Sequence, residues 1–523
     1  MKLDERRPVM SRARTLVRGM RRRPVVTVFV IALAVRVLVA TAVTLLIDSF
    51  VECDFTNGAV CDSHSLIPDE SQYLELGVVA AEGELAVFWV GYGESLYSSI
   101  RAFMWPVTAV LWLFGPHRYG VQLLVAVVGA LAAAGTVVVA RHWMDGFGPV
   151  AAGLLVAFMP SQILWSSVVL RESFVWAGVI GVVACVMVCL RSAHRGRVIM
   201  ALCASPVFLL GLFWLRQQTA LVVAWCLAPA LLFARTRFWV RGIVAVLVLV
   251  VVPWVGNVGI AGANLIEHFP SLGAIRAWSA AESSSSFRPL LPVAVSGEAE
   301  TPLAVSGEAE IGVGEGALPL SVPSGGSTDL EVDSGLESSS VPGCSGGSAG
   351  GAMGAAMRAS SCREPTEPGF SLIDVGGTQF RVDSRWSTSL AAMPGGVVAF
   401  LARPFLWEGM HDPDRLFASV ETLLWLAVYA LALVGLWSRR HAPELWMFPA
   451  AVAGGLVAAV SLSAGNLGTA FRHRGQLLVL LAVPAVAGAE VLWRRWKSSR
   501  RDCRECNTLD LYLREDETTE TTG

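Results

Sequence analysis

The sequence predicts an all-α polytopic membrane protein with about ten transmembrane helices, and three observations carry that reading. Of 523 residues, 54% are hydrophobic and only 16% charged, with a mean hydropathy of +0.57, too apolar for a soluble multidomain chain. Ten apolar segments reach the roughly 20 residues that a bilayer core requires: 25 to 47, 121 to 140, 149 to 166, 174 to 190, 198 to 215, 219 to 234, 242 to 262, 417 to 437, 445 to 464 and 475 to 493. The net charge of -2 conceals segregation, because the basic residues gather in short links between apolar runs.

Those links give the topology. Nine basic residues from Lys2 to Arg23 precede the first run, which is long enough to span and is followed by no clear small-residue cleavage site, so residues 1–24 read as the cytoplasmic side of an uncleaved signal anchor. Alternate links then carry Arg141-His142, Arg191 with Arg195 and Arg197, Arg235 with Arg237 and Arg241, Arg439-Arg440, and Arg494 to Arg501. Both termini are therefore expected in the cytoplasm, with a first block of seven spans over 25–262, a second of three over 417–493, and a tail over 494–523.

Two outer segments remain. The first, 48–120, holds ten carboxylates between Asp48 and Glu94 with no Lys or Arg among them. Its stretch 95–114, with Trp105, Trp112 and Phe114, reads as an interfacial helix, since counting it as a span would put every arginine link outside. The second, 263–416, contains a low-complexity, disordered stretch over about 281–360, with a serine run and one heptapeptide occurring at Ala294–Glu300 and again at Ala304–Glu310. Order resumes near Phe370, with a short strand at Phe380 to Val382, and Pro404 to Trp407 forms an aromatic anchor.

Cysteines follow the same division. Cys53 and Cys61 share the first outer loop and Cys344 and Cys362 the second, so two local disulfides are the simplest of three connectivities. Cys185, Cys189, Cys203 and Cys226 fall in spans and read as small hydrophobes. Cys503 and Cys506 form a lone CxxC with no second pair, a weak metal signal. No metal site or cofactor is assigned, and a divalent-metal requirement is left open.

Charges inside or at the border of a membrane require a partner or a role. Arg36 lies inside the first span; Arg171-Glu172, Arg216 and the triplet Arg472-His473-Arg474 all fall at outer span ends, on the side of the acidic loop. Arginine binds phosphate through a planar fork that keeps its charge in a dry site, so Arg171, Arg216, Arg472 and Arg474, with His473, read as an anion site; neutralising the acidic loop is the plainer role. Asp69 and Glu70 are adjacent and diverge by about 100 degrees on a helix. One can face a reaction centre while the other is held by an arginine or a backbone amide. A carboxylate beside an acceptor hydroxyl works as general base; helix capping by Asp69 is compatible with that role. The candidate set is thus Asp69 and Glu70 for chemistry, with Tyr73, Arg171, Arg216, Arg472, His473 and Arg474 for substrate.

The first span, the acidic loop with Asp69-Glu70 followed by Tyr73, Leu113-Phe114-Gly115, and Pro160 before Trp165-Ser166-Ser167 together resemble the GT-C superfamily of integral-membrane glycosyltransferases. The likeness is to its bacterial branch related to protein mannosyltransferases and aminoarabinose transferases, over residues 25 to 265 and 385 to 493. It implies a plasma-membrane enzyme that moves a sugar from a polyprenyl-phosphate donor to a lipid, wall glycan or protein acceptor, with Asp69 in the place of the catalytic aspartate. The low-complexity insertion departs from the family, and no globular domain is expected after the last span. No nucleic-acid partner is expected. A transporter or flippase of lipid-linked saccharides also needs outer arginines; a scaffold displaying the repetitive loop gives them no purpose.

Overall fold

The computed structural model describes residues 23–46, 51–54, 60–63, 68–83, 93–232, 238–256, 260–262, 370–375, 378–383, 386–408, 413–463 and 467–520. The low-complexity insertion, Cys344, Cys362 and the basic N-terminal run lie outside them. In order come α1 (Pro24–Leu46), a hairpin of β1 (Val51–Asp54) and β2 (Val60–Ser63), α2 (Pro68–Ala81), α3 (Gly93–Phe114), α4 (Arg118–Ala140), α5 (Gly148–Phe158) and α6 (Pro160–Trp165). Next are α7 (Glu172–Arg191), α8 (Arg195–Leu215), α9 (Gln217–Leu232), and α10 (Phe238–Val246), which runs through a π-helical turn into α11 (Val252–Val255). A second hairpin, β3 (Phe370–Val375) and β4 (Thr378–Asp383), precedes α12 (Trp386–Ala402), α13 (Pro413–Ser438), α14 (Pro443–Ser463) and α15 (Leu467–Glu520).

The protein is a helical membrane bundle. Among the described residues seven helices are long and apolar enough to cross a membrane: α1, α4, α7, α8 and the apolar parts of α13, α14 and α15. The other three expected spans differ. Segment 149–166 is two helices, broken where Met159 turns to an extended conformation before Pro160; α9 has 16 residues; and 242–262 is interrupted by the π turn. The expected strand at Phe380 to Val382 lies within β4, and in the first hairpin Cys53 and Cys61 are register partners.

The bundle has two chemically distinct ends. At one, Arg191 pairs with Glu444 at 3.2 Å and Arg439 donates to the Trp143 carbonyl at 2.9 Å, so the basic links meet one another. At the other, Thr41 and Thr44 of α1 bond Tyr119 and Gln122 of α4, and the acidic and arginine candidates collect. Helix α3 packs at this second end: Phe103 meets Phe174 at the start of α7 edge to face, Leu111 and Val107 lie against Gly77 of α2, and Val110 against Gly120 at the start of α4. Its other side exposes Trp105 and Trp112.

Helix α15 joins the two halves, packing against α13, α7, α5 and α14. Glycine makes this possible. A Cβ on Gly435 of α13 would strike the Pro484 carbonyl of α15, and one on Gly488 the Leu431 carbonyl, so the two backbones touch directly, as small residues allow in membrane bundles. Arg472 and Trp493 of α15 are 21 positions apart, about 31 Å at 1.5 Å per residue, which matches a hydrocarbon core.

The helix break between α5 and α6 is stabilised by two charges. Pro160 has no N–H to offer the Val156 carbonyl. Arg36, fully buried in α1, supplies the missing donors: its guanidinium bonds the Val156 carbonyl at 3.5 Å, the Ala157 carbonyl at 3.3 Å and its own Ala32 carbonyl at 3.1 Å. Across the gap, the buried Glu421 of α13 faces Ser161 at the start of α6 and accepts from Trp425 Nε1 at 3.1 Å. A cation thus stands at the C-terminal end of one half-helix and an anion at the N-terminal end of the next, each complementing the local dipole.

Candidate functional site

The site is built from four chain segments that are distant in sequence. Helix α2 contributes Asp69, Glu70 and Tyr73; the start of α7 contributes Glu172 and the residue before it, Arg171; the α8–α9 junction contributes Arg216; the start of α15 contributes Arg472 and His473. Pro68 begins α2, so Asp69 and Glu70 occupy its first turn, where negative charge is favoured; Asp69 lies inside the helix and is not its cap.

The two carboxylates diverge as their helical angle requires. Glu70 points inward: it is fully buried, accepts from the Val169 amide at 3.0 Å and faces Arg118 at 3.6 Å. Asp69 points outward, with its side chain 47% exposed, and pairs with Arg472. Arg472 also lies over the Trp165 ring, its guanidinium carbon 5.4 Å from the centroid.

Arg216 is held by Glu172 at 2.9 Å, and Arg171 donates to the Leu215 carbonyl at the end of α8 at 3.1 Å. Tyr73 is buried between these groups, edge-on to Phe103 with centroids 5.2 Å apart. Burial pushes its phenol above the ordinary value, with Glu172 and Asp69 adding to the rise and Arg171 and Arg216 opposing it, so Tyr73 stays neutral as part of the floor of the cluster. His473 is buried beside Arg216, Arg171 and Arg472.

These ion pairs leave capacity unspent. Arg216 Nη1, Arg472 Nε, His473 Nδ1 and Glu172 Oε2 are buried and have no hydrogen-bond partner among the described residues. Three of the four nitrogen and oxygen atoms sit on cationic or potentially donating groups, which is the chemistry of an anion cradle. Among the described residues no three His, Cys, Asp or Glu side chains are grouped to hold a metal ion.

Arg474 takes a different place from the one its sequence position suggests. Its guanidinium bonds the Phe400 carbonyl at 2.5 Å, the Ala399 carbonyl at 3.5 Å, the Arg403 carbonyl and Thr422 Oγ1 at 3.2 Å. It caps the C-terminal end of α12 and is fully buried, so its donors serve the backbone and not the cluster around Arg472. Successive residues on α15 point about 100 degrees apart, which sends Arg472, His473 and Arg474 in three directions.

Sequence reasoning missed Arg118, Gln162 and Glu421. Glu421 had a legible signal, a lone carboxylate in an otherwise apolar span; Arg118 was hidden in the short link before α4. Comparison with family models, with curated proteins and with solved structures finds no match. The GT-C resemblance therefore stands on the residues quoted for it.

Proposed function

We propose that the chain is a membrane glycosyltransferase, with ten membrane crossings and its acidic end facing outward, that moves a sugar from a polyprenyl-phosphate donor to an outer-face lipid, glycan or protein. The observation that carries this reading is the Asp69–Arg472 pair, a half-exposed carboxylate beside a cluster with unspent buried donors. An arriving phosphate competes with Asp69 for Arg472. The carboxylate released by that exchange takes the proton of the acceptor hydroxyl, whose oxygen attacks the anomeric carbon. The bond from that carbon to the phosphate oxygen breaks, and its electron pair leaves with the lipid phosphate, stabilised by Arg472 and Arg216. Glu70, tied to Val169 and Arg118, orients α2 and keeps Asp69 at the surface of the cluster.

A second reading is a transporter of lipid-linked saccharides, favoured by the broken α5–α6 segment with Arg36 and Glu421 buried beside it, since interrupted helices mark binding sites in transporters. Purified protein in liposomes separates the two. Transfer of radiolabelled sugar from a polyprenyl-phosphoryl donor, abolished in Asp69→Asn, supports the enzyme. Movement of an intact fluorescent lipid-linked saccharide between leaflets, unaffected by Asp69→Asn, supports the transporter.

A further inference from the structure

One turn deeper than the Asp69–Arg472 pair, a second group of polar atoms has no partner. Arg472 and Gly475 are three apart on α15, and Gln162 and Trp165 three apart on α6, so each pair shares a helix face. Arg472 lies over Trp165. Gly475, about 5 Å further along, lies against Gln162 and Trp176: a Cβ there would stand 2.5 Å from Gln162 Nε2 and 2.7 Å from Trp176 Cε2. Gln162 and Trp176 are fully buried.

Neither the oxygen nor the nitrogen of the Gln162 amide has a hydrogen-bond partner among the described residues, and the same holds for Trp176 Nε1. These atoms ask for opposite things. The Gln162 oxygen requires a donor, whereas the Gln162 nitrogen and the indole require an acceptor. A phosphate only accepts; an ammonium only donates. Hydroxyl groups do both, and two of them on adjacent carbons match a side-chain amide.

We infer that Gln162 and Trp176 form a subsite for an uncharged, hydroxyl-bearing group, the sugar of the donor, directly beneath the arginine cluster that takes its phosphate. This rests on the glycosyltransferase reading and deepens it. The division of labour is chemical: unpartnered nitrogens predominate around Arg472 and Arg216, whereas the Gln162 amide offers a donor and an acceptor together. The break at Pro160 is what turns Gln162 and Trp165 toward α15.

The test uses the full chain in nanodiscs, with decaprenyl phosphate bare and carrying mannose, glucose or arabinose as probes. Gln162→Met keeps the side-chain length and removes both hydrogen-bonding atoms; Trp176→Phe removes the indole N–H and serves if the first variant unfolds on a thermal scan. Wild-type protein should prefer one sugar-bearing lipid over the bare one. The variants should bind bare decaprenyl phosphate within about twofold of wild type and lose about tenfold or more for the preferred sugar-bearing lipid, the loss of one or two hydrogen bonds. An unchanged preference in both variants would mean that the cluster holds water only, and overturns the subsite while leaving the phosphate site standing. Wild-type protein that binds none of the lipid phosphates overturns the enzyme reading itself, and the subsite with it.

Discussion

Arg472 of α15 grips the carboxylate of Asp69 on α2 across 403 positions of chain, joining the C-terminal helix to the acidic loop that follows the first span. Arg472 retains a buried Nε without a partner among the described residues, so the pair is poised to be exchanged and is not a closed structural bridge. Asp69→Asn removes proton acceptance while keeping size. Transfer should fall by about 100-fold or more, within the general-base range, and the thermal unfolding midpoint should stay close to wild type because Asp69 is half-exposed. Normal transfer by Asp69→Asn would remove the base assignment.

Glu70 should behave in the opposite way. Its carboxylate is buried with Arg118 and the Val169 amide, and removing one member of a buried pair costs about 3–5 kcal/mol because the other charge is left uncompensated. Glu70→Leu should therefore lower stability sharply, whereas Glu70→Leu with Arg118→Met should recover much of it. A double variant no more stable than the single one would show that Glu70 is stabilised mainly by the Val169 amide.

Arg472 and Arg474, two positions apart, should separate cleanly. Arg472→Ala should weaken binding of bare polyprenyl phosphate with little effect on unfolding, and Lys should rescue only in part because it lacks the planar fork. Arg474→Ala should lower stability, since the carbonyls of Ala399, Phe400 and Arg403 lose their donor. Equal losses of lipid-phosphate affinity in the two variants would contradict the division drawn between them.

Some of this arrangement was legible in the chain and some was not, for physical reasons. Polarity at span ends was enough to bring Asp69, Arg171, Arg216 and Arg472 to one end of the bundle, and adjacency on a helix was enough to require that Asp69 and Glu70 face apart. The same rule, applied to the triplet at 472 to 474, would have separated Arg474 from its neighbours. Helix α12 was not read because Pro394-Gly395-Gly396 resembles a chain break; in the fold, Gly396 lets α12 press on the Ser461 carbonyl of α14, so the glycine serves packing. The partners of Arg36 could not be read at all, since a carbonyl freed by a proline 124 positions away leaves no pattern in composition or period.

That unreadable contact gives the last prediction. If Arg36 is present because Pro160 leaves the Val156 carbonyl without its helical donor, the two residues are energetically coupled even though they do not touch. Arg36→Met takes away the donor; Pro160→Ala restores an N–H in its place and lets α5 continue into α6. The double variant should then be more stable than the sum of the two single effects by about 1–2 kcal/mol, the scale of a buried carbonyl regaining a partner. Transfer should not recover with it, because a continuous helix turns Gln162 and Trp165 away from α15 and shifts the turn that brings Val169 to Glu70. Denaturant unfolding of the four proteins measures the coupling, and sugar transfer by the same samples measures the cost to the site. Strictly additive stabilities would show that Arg36 is retained for something other than the break. Recovery of transfer along with stability would show that the site does not need the break, and would weaken the case for a sugar subsite at Gln162.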